Sequence, residues 1–175
     1  MQIKIHKSDP QNAPTAGMFS RKFTVKSRIV LEIENETLKY STVEVEPYER
    51  DIPAQDTEYG FSETPPAVFV AEADGELAGR IKMLAWWNRF GYVEDLVVAP
   101  KYRGLGLGRK LLERGIQWAR ETHHPGVMLE TQDDNVPACR LYASCGFILS
   151  GFDRKVYKAI NPDTNETALY WYLIF

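Results

Sequence analysis

The pattern of apolar and polar positions in the first third of the chain predicts strands rather than helices. Residues 2–6 have the alternation of a short strand, and residues 23–34 and 37–46 alternate loosely on either side of Glu34-Asn35-Glu36. Such alternation around a short polar turn predicts a β-hairpin. The stretch 47–66 is polar and contains four prolines, which favours a loop with at most one helical turn.

The remainder of the chain shows strands and helices in alternation. Asp74-Gly75 gives a clear hairpin signal between two apolar runs. Apolar residues at helical spacing predict a first helix over 106–121, and Asp134 or Asn135 can cap a second helix that ends near residue 144. The strands predicted in this part are residues 67–73, 76–84, 92–98, 127–131, 152–158 and 167–175. This order predicts a mixed α/β fold around one central sheet.

The length of 175 residues fits a single domain with a core of its own. No apolar stretch approaches the roughly 20 residues that span a bilayer, and the first residues lack the apolar core of a signal peptide. We therefore expect one domain over residues 1–175, in the cytoplasm and without a membrane partner. Cys139 and Cys145 fit neither a paired-CxxC zinc site nor a disulfide framework, so we expect two reduced thiols and no bound metal.

The net charge of −3 conceals an uneven distribution. Residues 32–76 contain thirteen acidic residues and two basic ones, a net charge of −11, which leaves +8 for the rest of the chain. So acidic a front half argues against nucleic acid as a partner. It fits a basic small molecule better, and an acidic surface that only keeps the protein soluble is the alternative.

A glycine-rich turn follows the strand 92–98 and opens the first helix. Glycines let a backbone turn tightly and approach a ligand closely, and the free N–H groups and the dipole at a helix start favour an anion. Arginines on either side can add charge-assisted contacts. The residues of this turn are Arg103, Gly104, Leu105, Gly106, Leu107, Gly108 and Arg109. They predict a phosphate cradle, with a purely structural strand–helix turn as the alternative.

The spacing of these glycines excludes two common phosphate sites. A P-loop ends in Gly-Lys-Ser/Thr, whereas Gly108 is followed by Arg109-Lys110-Leu111. A dinucleotide fingerprint needs G-x-G-x-x-G in an early βαβ unit, whereas this chain has G-x-G-x-G late in the sequence.

Two motifs in the expected order carry a family resemblance. The pattern Arg103-x-x-Gly106-x-Gly108 after an apolar strand resembles the acetyl-CoA pyrophosphate loop of the Gcn5-related N-acetyltransferases. Residues 135–142, NVPACRLY, with CGF at 145–147, resemble that family's N-x-x-A-x-x-L-Y…G-F signature. The resemblance implies one domain whose central, mostly antiparallel sheet is flanked by helices. Residues 67–175 would form its acetyl-CoA-binding core, and residues 1–66 its substrate side.

Within that family the chain resembles the streptothricin acetyltransferases. The segments that carry this likeness are Trp87-Asn88-Arg89, Tyr92-Val93-Glu94-Asp95, residues 129–139, residues 165–172, and the Pro47-Tyr48 pair before an acidic loop. The resemblance implies an enzyme that uses acetyl-CoA to acetylate the β-lysine amine of a polycationic antibiotic. Loss of one positive charge and the added bulk would weaken the antibiotic's binding to its target, which confers resistance. Such an enzyme would act as a monomer or a homodimer.

The resemblance also implies which residues hold the cofactor. The backbone of Leu96, Val97 and Val98 would meet the pantetheine arm as a neighbouring strand would, and a backbone N–H would polarise the thioester oxygen. The turn 103–109 would hold the pyrophosphate. Asn135 would hydrogen-bond the cofactor or the next strand, a role that is compatible with capping a helix.

Two proton transfers need candidate groups. Tyr142 matches the family's tyrosine that protonates the departing CoA thiolate, with a packed aromatic as the alternative. An alkyl ammonium with a pKa of about 10 must lose its proton before it attacks. We expect Glu94 to accept that proton directly or through a water, with Asp95 as the second candidate and Glu130 as the third. A salt bridge or a polar position at the strand edge is the alternative for Glu94 and Asp95.

The acceptor amine would be bound by acidic and aromatic side chains. The residues that we expect there are Glu44, Glu46, Asp51, Trp87, Glu94 and Glu130. One rival function is a related enzyme that acts on a polyamine, another cationic drug or a protein amine. Another is a non-catalytic CoA-binding module, which the intact tyrosine, asparagine and glycine turn disfavour.

Overall fold

A computed structural model describes residues 2–9, 11–54 and 64–175 of the chain. Within these ranges the chain forms nine strands and two α-helices, with short 3₁₀ turns at Ala16–Met18, Pro100–Tyr102 and Val156–Ala159. The strands are β1 (Ile3–Ser8), β2 (Lys22–Glu34), β3 (Thr37–Asp51), β4 (Ala67–Ala73), β5 (Glu76–Ala85), β6 (Gly91–Val98), β7 (Gly126–Gln132), β8 (Ile148–Asp153) and β9 (Ala168–Ile174). The helices are α1 (Leu107–Glu121) and α2 (Val136–Ser144).

The chain divides into two compact units. The first comprises the described parts of Met1–Arg21, Ile52–Met128 and Ile174–Phe175, and the second comprises Lys22–Asp51 and Leu129–Leu173. The predicted boundary near residue 66 and the prediction of a single domain stay predictions. Among the described residues, no helix has the length and apolar character that crossing a membrane requires.

The first unit is a sheet with α1 packed on it. Its strands lie in the order β1-β4-β5-β6, and each neighbouring pair is antiparallel. The apolar side of α1 is buried, as the helical spacing predicts, because it covers β4, β5 and β6. Gly115 allows α1 to approach the sheet closely, since a Cβ there would lie 2.8 Å from side-chain atoms of Ile81 and Met83 in β5.

The second unit contains a long hairpin, a short sheet and α2. Strands β2 and β3 pair around Asn35 and Glu36, whose φ values of 48° and 63° are those of a two-residue hairpin turn, so the predicted hairpin is confirmed. Strand β7 enters the unit from Leu129 onward and is followed in the sheet by β9 and then β8. Trp171 of β9 is completely buried, and the rings of Tyr40 and Tyr142 pack near it.

Two predicted boundaries are wrong. The predicted loop from residue 47 onward begins later, because β3 continues to Asp51. Its pairing with β2 is irregular because residues 45–47 of β3 lie opposite the single residue Lys26. Pro47 belongs to this bulge, where its missing N–H removes no regular ladder bond. Residues 55–63 of the predicted loop lie outside the described residues.

The predicted strand over residues 152–158 is also misplaced. Strand β8 begins earlier, at Ile148, and ends at Asp153. The Asp153 carboxylate accepts hydrogen bonds from the backbone N–H groups of Lys155 at 2.6 Å and Val156 at 3.1 Å. These bonds turn the chain into the 3₁₀ turn Val156–Ala159 and end the strand.

Candidate active site

The glycine-rich turn has the geometry of an open anion cradle. Gly104 and Gly106 have φ values of 76° and 81°, a region that favours glycine, and a Cβ built at either position would meet no atom within 4 Å. Helix α1 starts directly afterwards with Gly106 as its N-cap, and no side chain caps it. The first N–H groups of α1 therefore have no capping side chain and suit an anionic ligand.

The two arginines of this turn differ in their surroundings. The Arg103 guanidinium donates to the carbonyl oxygens of Val98 at 3.0 Å and Ser20 at 2.8 Å. Burial lowers the pKa of Arg103 from its ordinary value. Arg109 lies in the first turn of α1 and is exposed. Arg103 thus links the end of β6 to the segment before β2 through hydrogen bonds. Arg109, by contrast, is accessible to a ligand.

Glu94 lies at a β-bulge in the strand that leads to this turn. Strand β6 pairs Asp95 with Lys82 and Val93 with Met83, so Glu94 is the extra residue. Its carboxylate forms an ion pair with the Lys82 ammonium at 2.7 Å, and its side chain is only 3% exposed. The salt bridge considered as the alternative for Glu94 is therefore present.

Asp95 is held by two arginines. One carboxylate oxygen accepts from the Nε of Arg80 at 2.8 Å and the other from a terminal nitrogen of Arg21 at 2.5 Å. Arg80 is itself 2% exposed and also donates to the carbonyl oxygen of Pro14 at 2.5 Å. The three side chains form a shielded ionic cluster that fastens the segment around residues 14–21 to β5 and β6.

Glu130 has different neighbours. It lies near the end of β7, and its carboxylate accepts a hydrogen bond of 2.6 Å from the phenol of Tyr157. Burial raises the pKa of Glu130, the negative charge of Asp153 raises it further, and the Tyr157 hydrogen bond partly offsets these effects. Glu130 is therefore a stronger proton acceptor than an ordinary exposed glutamate.

Tyr142 and Asn135 both belong to α2 and its cap. Tyr142 is buried, with its ring 6.2 Å from Phe147 and 6.3 Å from Trp171. The Asn135 side chain accepts from the backbone N–H of Ala138 at 3.4 Å, so Asn135 is the cap of α2. The packed ring and the helix cap that sequence analysis gave as alternatives are both present, and the cofactor roles of these residues stay predictions.

The predicted acceptor residues on β3 are exposed. Glu44, Glu46 and Asp51 all face solvent along this strand. Trp87, in the turn between β5 and β6, is 69% exposed, which is unusual for so large an apolar side chain. The acidic residues Asp56, Glu58 and Glu63, which extend the predicted acidic segment, lie outside the described residues.

Several neighbours of the candidate residues were not predicted from the sequence. Arg80, Lys82 and Tyr157 become partners of the candidate carboxylates only through strand register and a 3₁₀ turn. The Asp133-Asp134 pair before α2 is similar, since Arg28 binds Asp133 at 2.9 Å and the phenol of Tyr48 donates to Asp134 at 3.0 Å. Charged residues inside otherwise apolar strands were the one available signal, and they did not specify partners.

No metal site accompanies these groups in the part of the chain that the structure describes. Within residues 2–9, 11–54 and 64–175, no three histidine, cysteine, aspartate or glutamate side chains converge as metal ligands would. Cys139 is buried, and that burial raises the pKa of its thiol to about 12.

Comparison with known proteins relates this arrangement to one family. The sequence profile of the acetyltransferase (GNAT) family matches residues 30–147. The streptothricin acetyltransferase of Escherichia coli is 38% identical over 150 residues, which cover 86% of this chain and 84% of that protein. The matched range includes the glycine-rich turn, Glu94, Glu130 and Tyr142.

Solved structures extend the likeness to nearly the whole chain. A protein of Bacillus anthracis strain Ames, described as a streptothricin acetyltransferase and solved with acetyl coenzyme A, is 34% identical. Its TM-score is 0.85, with 99% of this chain and 100% of that chain covered. A nourseothricin acetyltransferase is 30% identical, with a TM-score of 0.82 and 98% of each chain covered. The predicted mixed α/β fold, with a mostly antiparallel sheet and flanking helices, is confirmed.

Proposed function

The chain belongs to the GNAT family of acetyltransferases, and from this we propose that it transfers the acetyl group of acetyl-CoA to the β-lysine amine of streptothricin. The observation that carries the proposal is the likeness to streptothricin acetyltransferases over most of both chains. Acetylation removes a positive charge from the antibiotic and adds bulk, so the modified drug binds its target more weakly. The enzyme thereby confers resistance.

The reaction needs positioning and two proton transfers. The amine nitrogen attacks the thioester carbonyl carbon, the carbon–sulfur bond breaks, and CoA leaves as a thiolate. The amine must first lose a proton. With a pKa of about 10 it is mostly protonated at neutral pH, and the protonated nitrogen has no lone pair with which to attack. The thiolate leaves more readily when a nearby acid protonates it.

The glycine turn and the start of α1 fit the pyrophosphate of acetyl-CoA. Gly104 and Gly106 leave the backbone open to a close ligand, and no side chain competes for the first N–H groups of α1. The exposed Arg109 adds a positive charge. The backbone of Leu96–Val98 receives the pantetheine arm, and an N–H group there polarises the thioester oxygen.

Tyr142 supplies the proton for the CoA thiolate. Its ring is buried between aromatic neighbours, which fixes the direction of the phenol. A positioned general acid of this kind typically contributes about 10²- to 10⁴-fold to a rate. Asn135 caps the first turn of α2 and so stabilises the helix that carries Tyr142.

Exposed carboxylates of β3 receive the other positive groups of the antibiotic. Glu44, Glu46 and Asp51 are exposed and lie in the chain segment of net charge −11. Carboxylates on a surface attract a polycation over roughly a Debye length, about 8 Å at physiological ionic strength. Substrate affinity should therefore weaken as salt rises.

Thiol release in the presence of candidate amines tests this proposal. Purified protein and acetyl-CoA are mixed with streptothricin, spermidine or a lysine-containing peptide, and free CoA thiol is followed with time. We expect fast release with streptothricin and release near the buffer rate with the other two. Fast release with spermidine or the peptide, and none with streptothricin, would replace the antibiotic by a polyamine or protein amine. Binding of CoA without release for any amine would favour a non-catalytic module.

Substitution of Gly106 by alanine tests the cradle. At φ 81° an L side chain costs roughly 1–2 kcal/mol, and relief of that strain would turn the N–H groups away from the ligand. We expect the KM for acetyl-CoA to rise about tenfold with little change in kcat. Gly17→Ala is the matched control, because Gly17 also has open space around it but no positive φ. Equal KM values for both variants would contradict the assignment.

A further inference from the structure

We propose that Glu130 removes the proton from the attacking amine, held for that task by the hydrogen bond that the Tyr157 phenol donates and faced by the Asp153 carboxylate. This inference rests on the proposed acetyl transfer. It replaces the sequence-based preference for Glu94 and identifies two residues that sequence analysis did not connect with the site. All three side chains lie within the second compact unit.

The two carboxylates of β6 are already occupied by cations of the chain. Glu94 is paired with the Lys82 ammonium, and Asp95 binds the guanidinium groups of Arg80 and Arg21. A substrate ammonium could reach either carboxylate only by displacing a shielded cation, which would then lack its counter-charge. Both carboxylates therefore stabilise the fold rather than receive the substrate amine.

The surroundings of Glu130 favour proton uptake instead. Among the residues that the structure describes, no cation forms an ion pair with Glu130. The titratable groups that face it are Asp153 from β8, Tyr157 from the 3₁₀ turn and Tyr170 from β9. Half-burial and the negative charge of Asp153 both favour the protonated carboxyl, so the carboxylate readily accepts a proton.

Tyr157 acts in the opposite direction to Asp153. Its phenol donates to the Glu130 carboxylate at 2.6 Å and stabilises the ionised form. Burial and the adjacent Glu130 raise the pKa of Tyr157 far above neutrality, and burial raises that of Tyr170 to about 12. Both phenols therefore remain protonated where the enzyme works.

The chain around Tyr157 holds its phenol in place. Asp153 accepts from the N–H groups of Lys155 and Val156, which starts the 3₁₀ turn. The carbonyl oxygen of Tyr157 accepts from the N–H groups of Ile160 at 3.0 Å and Asn161 at 2.9 Å, which closes it. Asp153 thus has two effects on Glu130, through its charge and through the position of Tyr157.

The proton transfer starts from the protonated amine of the substrate. The ammonium gives one proton to the Glu130 carboxylate. This leaves a neutral amine and a protonated Glu130 carboxyl group. The amine then forms the new carbon–nitrogen bond as the carbon–sulfur bond breaks. Tyr142 gives its proton to the leaving sulfur, and the second proton of the attacking nitrogen restores the Tyr142 hydroxyl. Glu130 returns its proton to solvent before the next turnover.

The pH profile of kcat/KM for streptothricin tests the proposal. Glu130→Gln keeps the size of the side chain, and we expect it to lower kcat/KM by about 10²- to 10⁴-fold and to remove the acid limb. Tyr157→Phe removes a bond to the ionised form, so the acid limb should move to higher pH. Asp153→Asn removes the like charge but keeps an oxygen for the turn, so the limb should move to lower pH. The substrate's own ionisation is the same for all variants, so it does not contribute to the shifts between their pH profiles.

The control matches the chemistry of Tyr157. Tyr102→Phe removes another phenol-to-glutamate hydrogen bond, 2.9 Å to the exposed Glu76, and should leave the acid limb in place. Turnover by the unchanged protein together with a full rate for Glu130→Gln would overturn the inference alone. Shifts of the limb in the same direction for Tyr157→Phe and Asp153→Asn would also overturn it. No turnover by the unchanged protein would instead overturn the proposed function, and the inference with it.

Discussion

Replacement of Tyr142 by phenylalanine is expected to lower kcat by about two to four orders of magnitude, because the general acid of the reaction is lost. The phenylalanine ring can keep the contacts with Phe147 and Trp171, whose ring centres lie 6.2 Å and 6.3 Å away. The substitution therefore removes one hydroxyl group and little packing. The affinity for CoA should stay within about twofold, since a contribution to the transition state alone lowers kcat without weakening ground-state binding.

Steady-state thiol release and calorimetric binding of CoA check this prediction together. Tyr40→Phe is the matched control, because the ring of Tyr40 also packs against Trp171, at 5.6 Å, and its hydroxyl has no assigned role in the reaction. We expect Tyr40→Phe to turn over at the unchanged rate. An unchanged kcat for Tyr142→Phe would remove Tyr142 from the acid role and leave it as a packed aromatic.

Replacement of Asp95 by asparagine is expected to destabilise the protein by about 3–5 kcal/mol, the usual cost of removing one partner from a buried ion pair. Asparagine keeps the shape of the side chain but removes the negative charge between Arg80 and Arg21. Arg80 is 2% exposed and would remain buried without a counter-charge. The free energy of unfolding, measured in urea, should fall by that amount.

The outcome also separates structure from catalysis at Asp95. Glu76→Gln is the control, because Glu76 pairs with Lys101 at the exposed surface, where such a pair contributes little. We expect its unfolding midpoint to match that of the unchanged protein. A stable Asp95→Asn protein that has lost turnover would contradict the account, since Asp95 would then act on the substrate rather than on the fold.

Local signals in the sequence were sufficient for most of the secondary structure. The Asp74-Gly75 turn, the helical spacing in α1 and the cap before α2 each depend on residues within a few positions of one another. The hairpin turn at Asn35 and Glu36 belongs to the same class. The glycine turn was also identifiable, because its function depends on backbone conformations that neighbouring residues determine.

The two wrong boundaries have different causes, a partner that is distant along the chain for β3 and a local side-chain hydrogen bond for β8. Strand β3 continues through Pro47 because residues 45–47 bulge opposite Lys26 of β2, and no property of residues 47–51 alone indicates that partner. Strand β8 ends early because the Asp153 side chain bonds the backbone of the following turn. Composition favoured a loop in the first case and a strand in the second.

The candidate carboxylates show the same limit at the level of function. The sequence predicted Glu94, Asp95 and Glu130 as candidate bases, but it did not indicate their partners, which lie far away along the chain. Lys82 approaches Glu94 through strand register, and Tyr157 approaches Glu130 through a turn that begins at Asp153. The three candidate bases therefore differ through contacts that the fold creates and that no local pattern in the sequence indicates.

The mass of the product formed from streptothricin and isotope-labelled acetyl-CoA tests the central claim most directly. The account predicts that the antibiotic gains the mass of one labelled acetyl group, that fragmentation places the label on the β-lysine amine, and that one CoA thiol appears for each product. Unmodified antibiotic after prolonged incubation, with thiol released no faster than in buffer, would contradict it.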